Sequence, residues 1–198
     1  IAMDRWRLGA PERRKLDDKP FVLIADTAHG PRIEATNRPA ASAGARVGMM
    51  LADARTLCPE IITAAADPAG DLIFLEKLAV WARRWGPWSA LEGIDGLLVD
   101  VTAVAHLFGG EDKLLADAVA AFTQREVDMR CAIAPTAGAA WALAHHAASG
   151  TILEQDEDMA ARLGELPVAA LRLDQDILTV LRRLGLKKLG ELSTIESD

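Results

Sequence analysis

The chain has no apolar run long enough to cross a bilayer, and its N-terminus lacks the pattern of a signal peptide. It holds only two cysteines, Cys58 and Cys131, far apart and in apolar surroundings. That points away from a disulfide framework and towards buried, reduced thiols in a cytoplasmic protein. Low-complexity tracts are absent, and no lysine occurs between Lys113 and Lys187. The net charge of −7 argues against binding nucleic acid with the whole surface, because phosphate contact needs clustered Lys and Arg. Any DNA contact must be local. What is present is a 198-residue chain with 51% hydrophobic and 26% charged residues, enough to fold around a core.

Punctuation along the chain predicts its elements. A basic amphipathic helix is expected from Met3 to Lys15, with a charged loop over Glu12 to Pro20. Strands follow at Phe21 to Ala25 and Arg32 to Thr36, then helices at Pro39 to Ala45 and Leu51 to Cys58, and a strand at Ile61 to Ala65. Asp67-Pro68 is a helix start, with Asp as cap and Pro in the first turn. Apolar residues from Leu72 to Trp85 then recur at helical spacing. Trp88 to Glu92 and Leu97 to Thr102, joined by Gly93-Ile94-Asp95-Gly96, predict a hairpin. A helix from Glu111 to Phe122, a strand from Met129 to Ala134 and a helix from Thr136 to Ala147 complete an antiparallel sheet covered by helices on one face. Beyond the acidic stretch Glu154 to Asp158 only short helices are expected: one opened by Leu166-Pro167, one from Asp174 to Leu184, and a last one over Leu189 to Ile195.

Three stretches carry a family likeness. "GARVGMMLADARTLCP" (Gly44 to Pro59) resembles the fingers segment of the Y family of translesion DNA polymerases. "GIDGLLVDVTAVAHLFGGE" (Gly93 to Glu111) resembles that family's palm hairpin, S-x-D-E-x-x-L-D-V-T followed by Leu-Phe-Gly. "CAIAPTAGAAWALAHHAASG" (Cys131 to Gly150) resembles its palm strand and helix, G-I-A-x-N-K-x-x-A-K. The resemblance spans about Phe21 to Ile195 and is closest to the catalytically inactive ImuB-like subgroup within the DinB/UmuC-like superfamily. It implies an α+β fold: a fingers region with a remnant of the palm start over 1–66, a palm over 67–155, and an all-helical, helix-hairpin-helix-like thumb over 156–198.

The resemblance also implies what the chemistry would need. Phosphoryl transfer in this family uses two divalent metals held by acidic residues. Anchored on Leu-Val-Asp-Val-Thr, Asp95 matches the family's Asp, while Gly96 replaces its Glu and Gly93 its Ser. The family's first strand, with a further carboxylate, would precede Ile1, and Glu92 lies on the wrong side of the turn to substitute. The fingers Tyr-x-x-Arg falls on Arg38 and Ala41, and the palm Asn-Lys pair on Thr136 and Ala137. Asp95 is therefore read as a vestigial ligand or simply a turn residue, with no catalytic residue, bound metal or cofactor expected. Mg would enter only if the chain were a fragment of an active error-prone polymerase.

Other candidates have plain structural readings. Asp100 is expected as a buried, hydrogen-bonded carboxylate. His145 and His146, adjacent on a helix, point about 100° apart and lack a third ligand. Trp81, Trp85 and Trp88 are expected to pack in the core or at a domain junction. The most functional-looking patch is Arg182, Arg183, Lys187 and Lys188 around Gly185. "LRRLGLKKLGEL" resembles a helix-hairpin-helix, whose backbone N–H groups hold a DNA phosphate without reading sequence; the alternative is a solvated helix end. The resemblance implies a cytoplasmic, nucleoid-associated scaffold in damage-induced (SOS) translesion synthesis. It would touch DNA through its backbone, and a sliding clamp and an active error-prone polymerase through regions outside this chain, with no membrane partner. The rival readings are the active polymerase fragment and an unrelated helix-hairpin-helix DNA-binding module.

Overall fold

A computed structural model describes residues 1–192 as an α+β chain of two compact units, Ile1–Asp100 with Gln124–Asp128, and Val101–Thr123 with Met129 onward. In the first unit, α1 (Ala2–Leu8) stops short of the expected end at Lys15. Pro11 forces Ala10 into an extended conformation (φ −161°), and the chain resumes as a 3₁₀ turn over Pro11–Leu16. The strands β1 (Phe21–Thr27) and β2 (Gly30–Thr36) form an antiparallel hairpin. Next come α2 (Arg38–Ser42), α3 (Leu51–Leu57) and β3 (Ile62–Ala65), which pairs with β1 in parallel because helices intervene. Val22, Ile33, Leu51 and Ile61 bury against Ala40, Ala45 and Ala54, whose small side chains let the helices approach the sheet. Cys58 is buried in the same cluster. Asn37 ties helix to strand: its Oδ1 accepts from the N–H groups of Ala40 and Phe21, both at 3.0 Å.

The helix α4 (Pro68–Ala82) begins where its cap predicts. Asp67 Oδ1 accepts from Gly70 N–H at 3.0 Å, and Arg5 reaches from α1 to Asp67 (3.1 Å) and Asp71 (2.5 Å). Asp67→Ala is expected to cost about 1 kcal/mol, seen as a lower urea midpoint with an unchanged slope. The hairpin of β4 (Trp88–Glu92) and β5 (Gly96–Asp100) follows, its register running from Glu92 opposite Gly96 to Trp88 opposite Asp100. Ser89 Oγ donates to the Ala79 carbonyl at 2.8 Å, which turns the Ser89 face of the hairpin onto α4.

In the second unit, α5 (Ala105–Phe108), a turn not foreseen in the sequence, leads into α6 (Glu111–Gln124). The expected strand from Met129 contracts to β6 (Ala132–Ile133). Upstream of it, Cys131 N–H donates to Ser149 Oγ and Arg130 clips the carbonyls of Ala144 and Ala147, so that backbone is held outside a ladder. Thr136 caps α7 (Ala137–His146), which returns to β7 (Thr151–Ile152). Because a helix connects them, β6 and β7 pair in parallel. Antiparallel pairing among named strands is thus confined to the two hairpins, and the single antiparallel sheet expected here is not formed among the described residues. Short elements complete the unit: α8 (Met159–Gly164), a 3₁₀ turn at Val168–Leu171, α9 (Gln175–Arg183) and α10 (Leu189–Leu192). Leu143, Leu153, Leu166 and Ala170 form their core. Of the last expected helix, 193–195 lie outside the described residues.

Candidate nucleic-acid interface and the remnant of a catalytic turn

Asp95 sits in the exposed loop between β4 and β5, beside Ile94, which is 85% exposed. Gly96, in the place of the family's Glu, is the first ladder residue of β5, directly opposite Glu92. A Cβ built at this position would lie 2.7 Å from the Glu92 carbonyl oxygen and 3.2 Å from the Glu92 Cβ. The strands have therefore closed to a separation that only a residue without a side chain permits. Asp100 is exposed, not buried as expected. Its register pairs it with Trp88, itself 74% exposed, on the face of the hairpin turned away from α4. Among the described residues no group of three or more His, Cys, Asp and Glu comes together to hold a metal ion. Asp95 and Glu92, separated by a turn closed around Gly96, do not fit a two-metal centre.

The positions matching the phosphate grip have taken structural work. Thr136 accepts the Ala139 N–H at 3.2 Å as the cap of α7, and Ala137 is the helix's first residue. Arg38 opens α2 and is exposed, while the Ala41 carbonyl accepts from the Arg46 guanidinium at 2.6 Å. Arg46 also reaches the Ala45 carbonyl (2.8 Å) and Arg32 the Gly48 carbonyl (2.6 Å), so these arginines hold the loop between α2 and α3.

Around Gly185 the structure brings the predicted cations together but also pairs some of them. Arg182 and Arg183 are exposed in the last turn of α9. Gly185 follows at φ +86°, a left-handed conformation that favours glycine. Its N–H donates to the Arg182 carbonyl (3.1 Å), and Leu186 N–H to that of Leu181 (2.9 Å). Lys188 Nζ donates to Glu165 Oε2 at 2.6 Å, and that hydrogen bond raises the lysine above its usual pKa. Glu191 Oε2 accepts the N–H groups of Lys187 (2.5 Å) and Lys188 (2.9 Å), which hold its carboxyl below the usual range. The backbone donors expected to be free are thus occupied by a carboxylate. Glu165 and Glu191 halve the local excess of positive charge. A Glu three residues into a helix is a capping signal legible in the sequence; the partner of Lys188, 23 residues away, is not.

Of the tryptophans and the histidine pair, only Trp88 is placed differently from expectation. Trp81 and Trp85 pack edge to face at 4.7 Å and Trp85 is buried, but Trp88 faces outward. In the second unit, Trp141 stacks on His145 at 4.1 Å, and the Arg172 guanidinium lies 4.0 Å from its ring centre. His146 is half-buried, and burial, then the charges of His145 and Arg130, hold its imidazole below the ordinary value of 6.5. The folded chain keeps it neutral where an unfolded chain would take up a proton. That contribution to stability is complete above the ordinary value and is lost as pH falls through the lowered folded value. The urea midpoint should therefore drop as pH falls below about 6.5, and drop less in His146→Gln.

The sequence profile of the impB/mucB/samB family matches residues 3–145. Two Protein ImuB sequences of Caulobacter vibrioides, from strains NA1000 / CB15N and CB 15, are each 45% identical over 145 residues, covering 73% of this chain and 31% of theirs. The chain spans about a third of the length of these relatives. Among solved structures, the insertion ternary complex of Dbh DNA polymerase superposes with a TM-score of 0.82 at 17% identity, covering 98% of this chain and 58% of that one. DinB from Sulfolobus solfataricus does so with 0.79 at 17%, covering 98% and 57%. At that identity these two show a shared fold. No helix among the described residues is long and apolar enough to cross a membrane. Matched over most of its length by the family profile, and built like the palm and fingers of Y-family polymerases, the chain belongs to the impB/mucB/samB family.

Proposed function

We propose that this chain is the polymerase-like part of a noncatalytic translesion-synthesis protein, a scaffold that binds DNA and partners at damaged sites. The observation that carries this reading is Gly96: the family's second turn carboxylate is gone, and the hairpin backbone has closed where its side chain would stand. Thr136 and Ala137, engaged at the start of α7, support it from the phosphate side. On this reading 1–66 is the fingers region, 67–155 the palm and 156–198 a helix-hairpin-helix-like thumb. The thumb contacts the duplex backbone, whatever the base sequence, through Arg182, Arg183, Gly185, Lys187 and Lys188. A sliding clamp and an active error-prone polymerase are the protein partners, held by regions outside this chain, in the cytoplasm at the nucleoid. Primer extension by the full-length protein tests the reading. Templated incorporation that Asp95→Ala abolishes would overturn it.

A further inference from the structure

The helix α4 carries only three charged residues in its 15, Asp71, Glu76 and Lys77, and is apolar on nearly every side. One side packs into the core through Leu75, Leu78, Ala79 and Ala82. On the rest, Ile73 is 52% and Val80 63% exposed, more than a helix with one buried stripe requires. Beside them lies a groove of about 280 Å³, floored by Leu8, Phe74, Leu78, Trp81 and Val127. Its two charged lining residues are both cations, Lys77 and Arg125. The Arg125 guanidinium lies 3.9 Å from the Trp81 ring centre, and Arg84 sits 5.7 Å from the same ring.

We propose that this groove docks an acidic peptide segment of a partner protein, with one large apolar side chain in the groove and flanking carboxylates on Lys77 and Arg125. At about 280 Å³ the groove falls just below the range of ligand pockets, about 300–1,000 Å³, and suits an anchor side chain better than a nucleotide. Nucleic-acid interfaces are polar and rich in phosphate donors, whereas this floor is aliphatic and aromatic. An apolar anchor with a charged rim is the usual anatomy of a peptide hot spot. The proposal stands apart from the question of catalysis and from the cations around Gly185.

Fluorescence anisotropy with three labelled synthetic peptides tests it on the whole chain. One carries a Phe-Leu anchor between Asp and Glu residues, one the same anchor between Lys residues, and one the acidic flanks with the anchor replaced by Ala. The anchored acidic peptide should bind, and Lys77→Glu/Arg125→Glu should weaken it at least about tenfold, since rim charges act on both rate and affinity. The same variant should gain binding of the Lys-flanked peptide, a reversal that misfolding could not produce. The proposal fails if no peptide binds, or if the anchorless peptide binds as well as the anchored one. It also fails if duplex DNA displaces the anchored peptide, or if sedimentation shows a dimer of this chain that the same double substitution dissolves.

Discussion

No templated nucleotide incorporation is expected from the full-length protein with Mg²⁺ or Mn²⁺, and Gly96→Glu is expected not to supply it. Transfer to a primer end needs two metals, about 4 Å apart, bridging attacking and leaving oxygens, and each needs carboxylates fixed before substrate arrives. Asp95 is one carboxylate on an exposed loop. Restoring the glutamate at position 96 restores an atom type but not a geometry, because its Cβ would meet the Glu92 carbonyl at 2.7 Å. The β4–β5 turn would have to open, so the variant should lose stability, on the order of 1 kcal/mol, without gaining activity. Nor would the triphosphate be held as in the family, since Thr136 is engaged as a helix cap and Ala137 has no side-chain donor to offer. Primer extension on a gel reads both chains together. Elongation by the parent that disappears in Asp95→Ala would sink the noncatalytic reading, and elongation gained by Gly96→Glu would show that the turn is still catalytic in form.

Arg182→Ala/Arg183→Ala should weaken duplex binding about equally on unrelated sequences and lower the salt slope by roughly 2. Each phosphate contact contributes close to one counterion, so near 0.1 M salt the loss should be roughly fifty-fold. Lys187→Ala/Lys188→Ala should do less, because Lys188 already gives its ammonium to Glu165 at 2.6 Å. The opposite sign is expected of Glu191→Gln. It removes a negative charge from the patch and loosens the hold on the Lys187 and Lys188 N–H groups, so affinity and salt slope should both rise. The parent chain, acidic overall, should itself bind only at micromolar concentrations or above, as nonspecific binders do at physiological salt. Anisotropy against salt for the four chains decides the matter. If the arginine variant binds as tightly as the parent with the same slope, the patch is a solvated helix end.

Most elements announced themselves through local signals. Asp67-Pro68 before a helix-spaced apolar series placed α4, Gly93 to Gly96 between two apolar runs placed the hairpin, and Thr136 placed the start of α7. Where the signal is short or the competing contact lies far along the chain, the local pattern does not fix the element. The helix from Met3 breaks at Pro11, which holds Ala10 extended against the local amphipathic pattern. The strands β6 and β7 have two residues each, too few to show a period, and α5 is a single turn. Residue type and strand position point Trp88 and Asp100 inward, but which face of a hairpin is covered depends on where α4 lies.

What the sequence by itself determined is the inventory: a carboxylate missing at Gly96, no lysine or asparagine at the start of α7, and four cations around Gly185. What only the tertiary structure decided is which of those groups still face anything. The hairpin register closed position 96 against the Glu92 carbonyl, Glu165 took Lys188, and Glu191 took two backbone donors. The groove on α4 likewise draws Leu8, Arg125 and Val127 from distant parts of the chain. Identity is a property of one residue and is written in the chain. Charge pairing, closure and burial depend on distances through space, which are set only when the chain has folded.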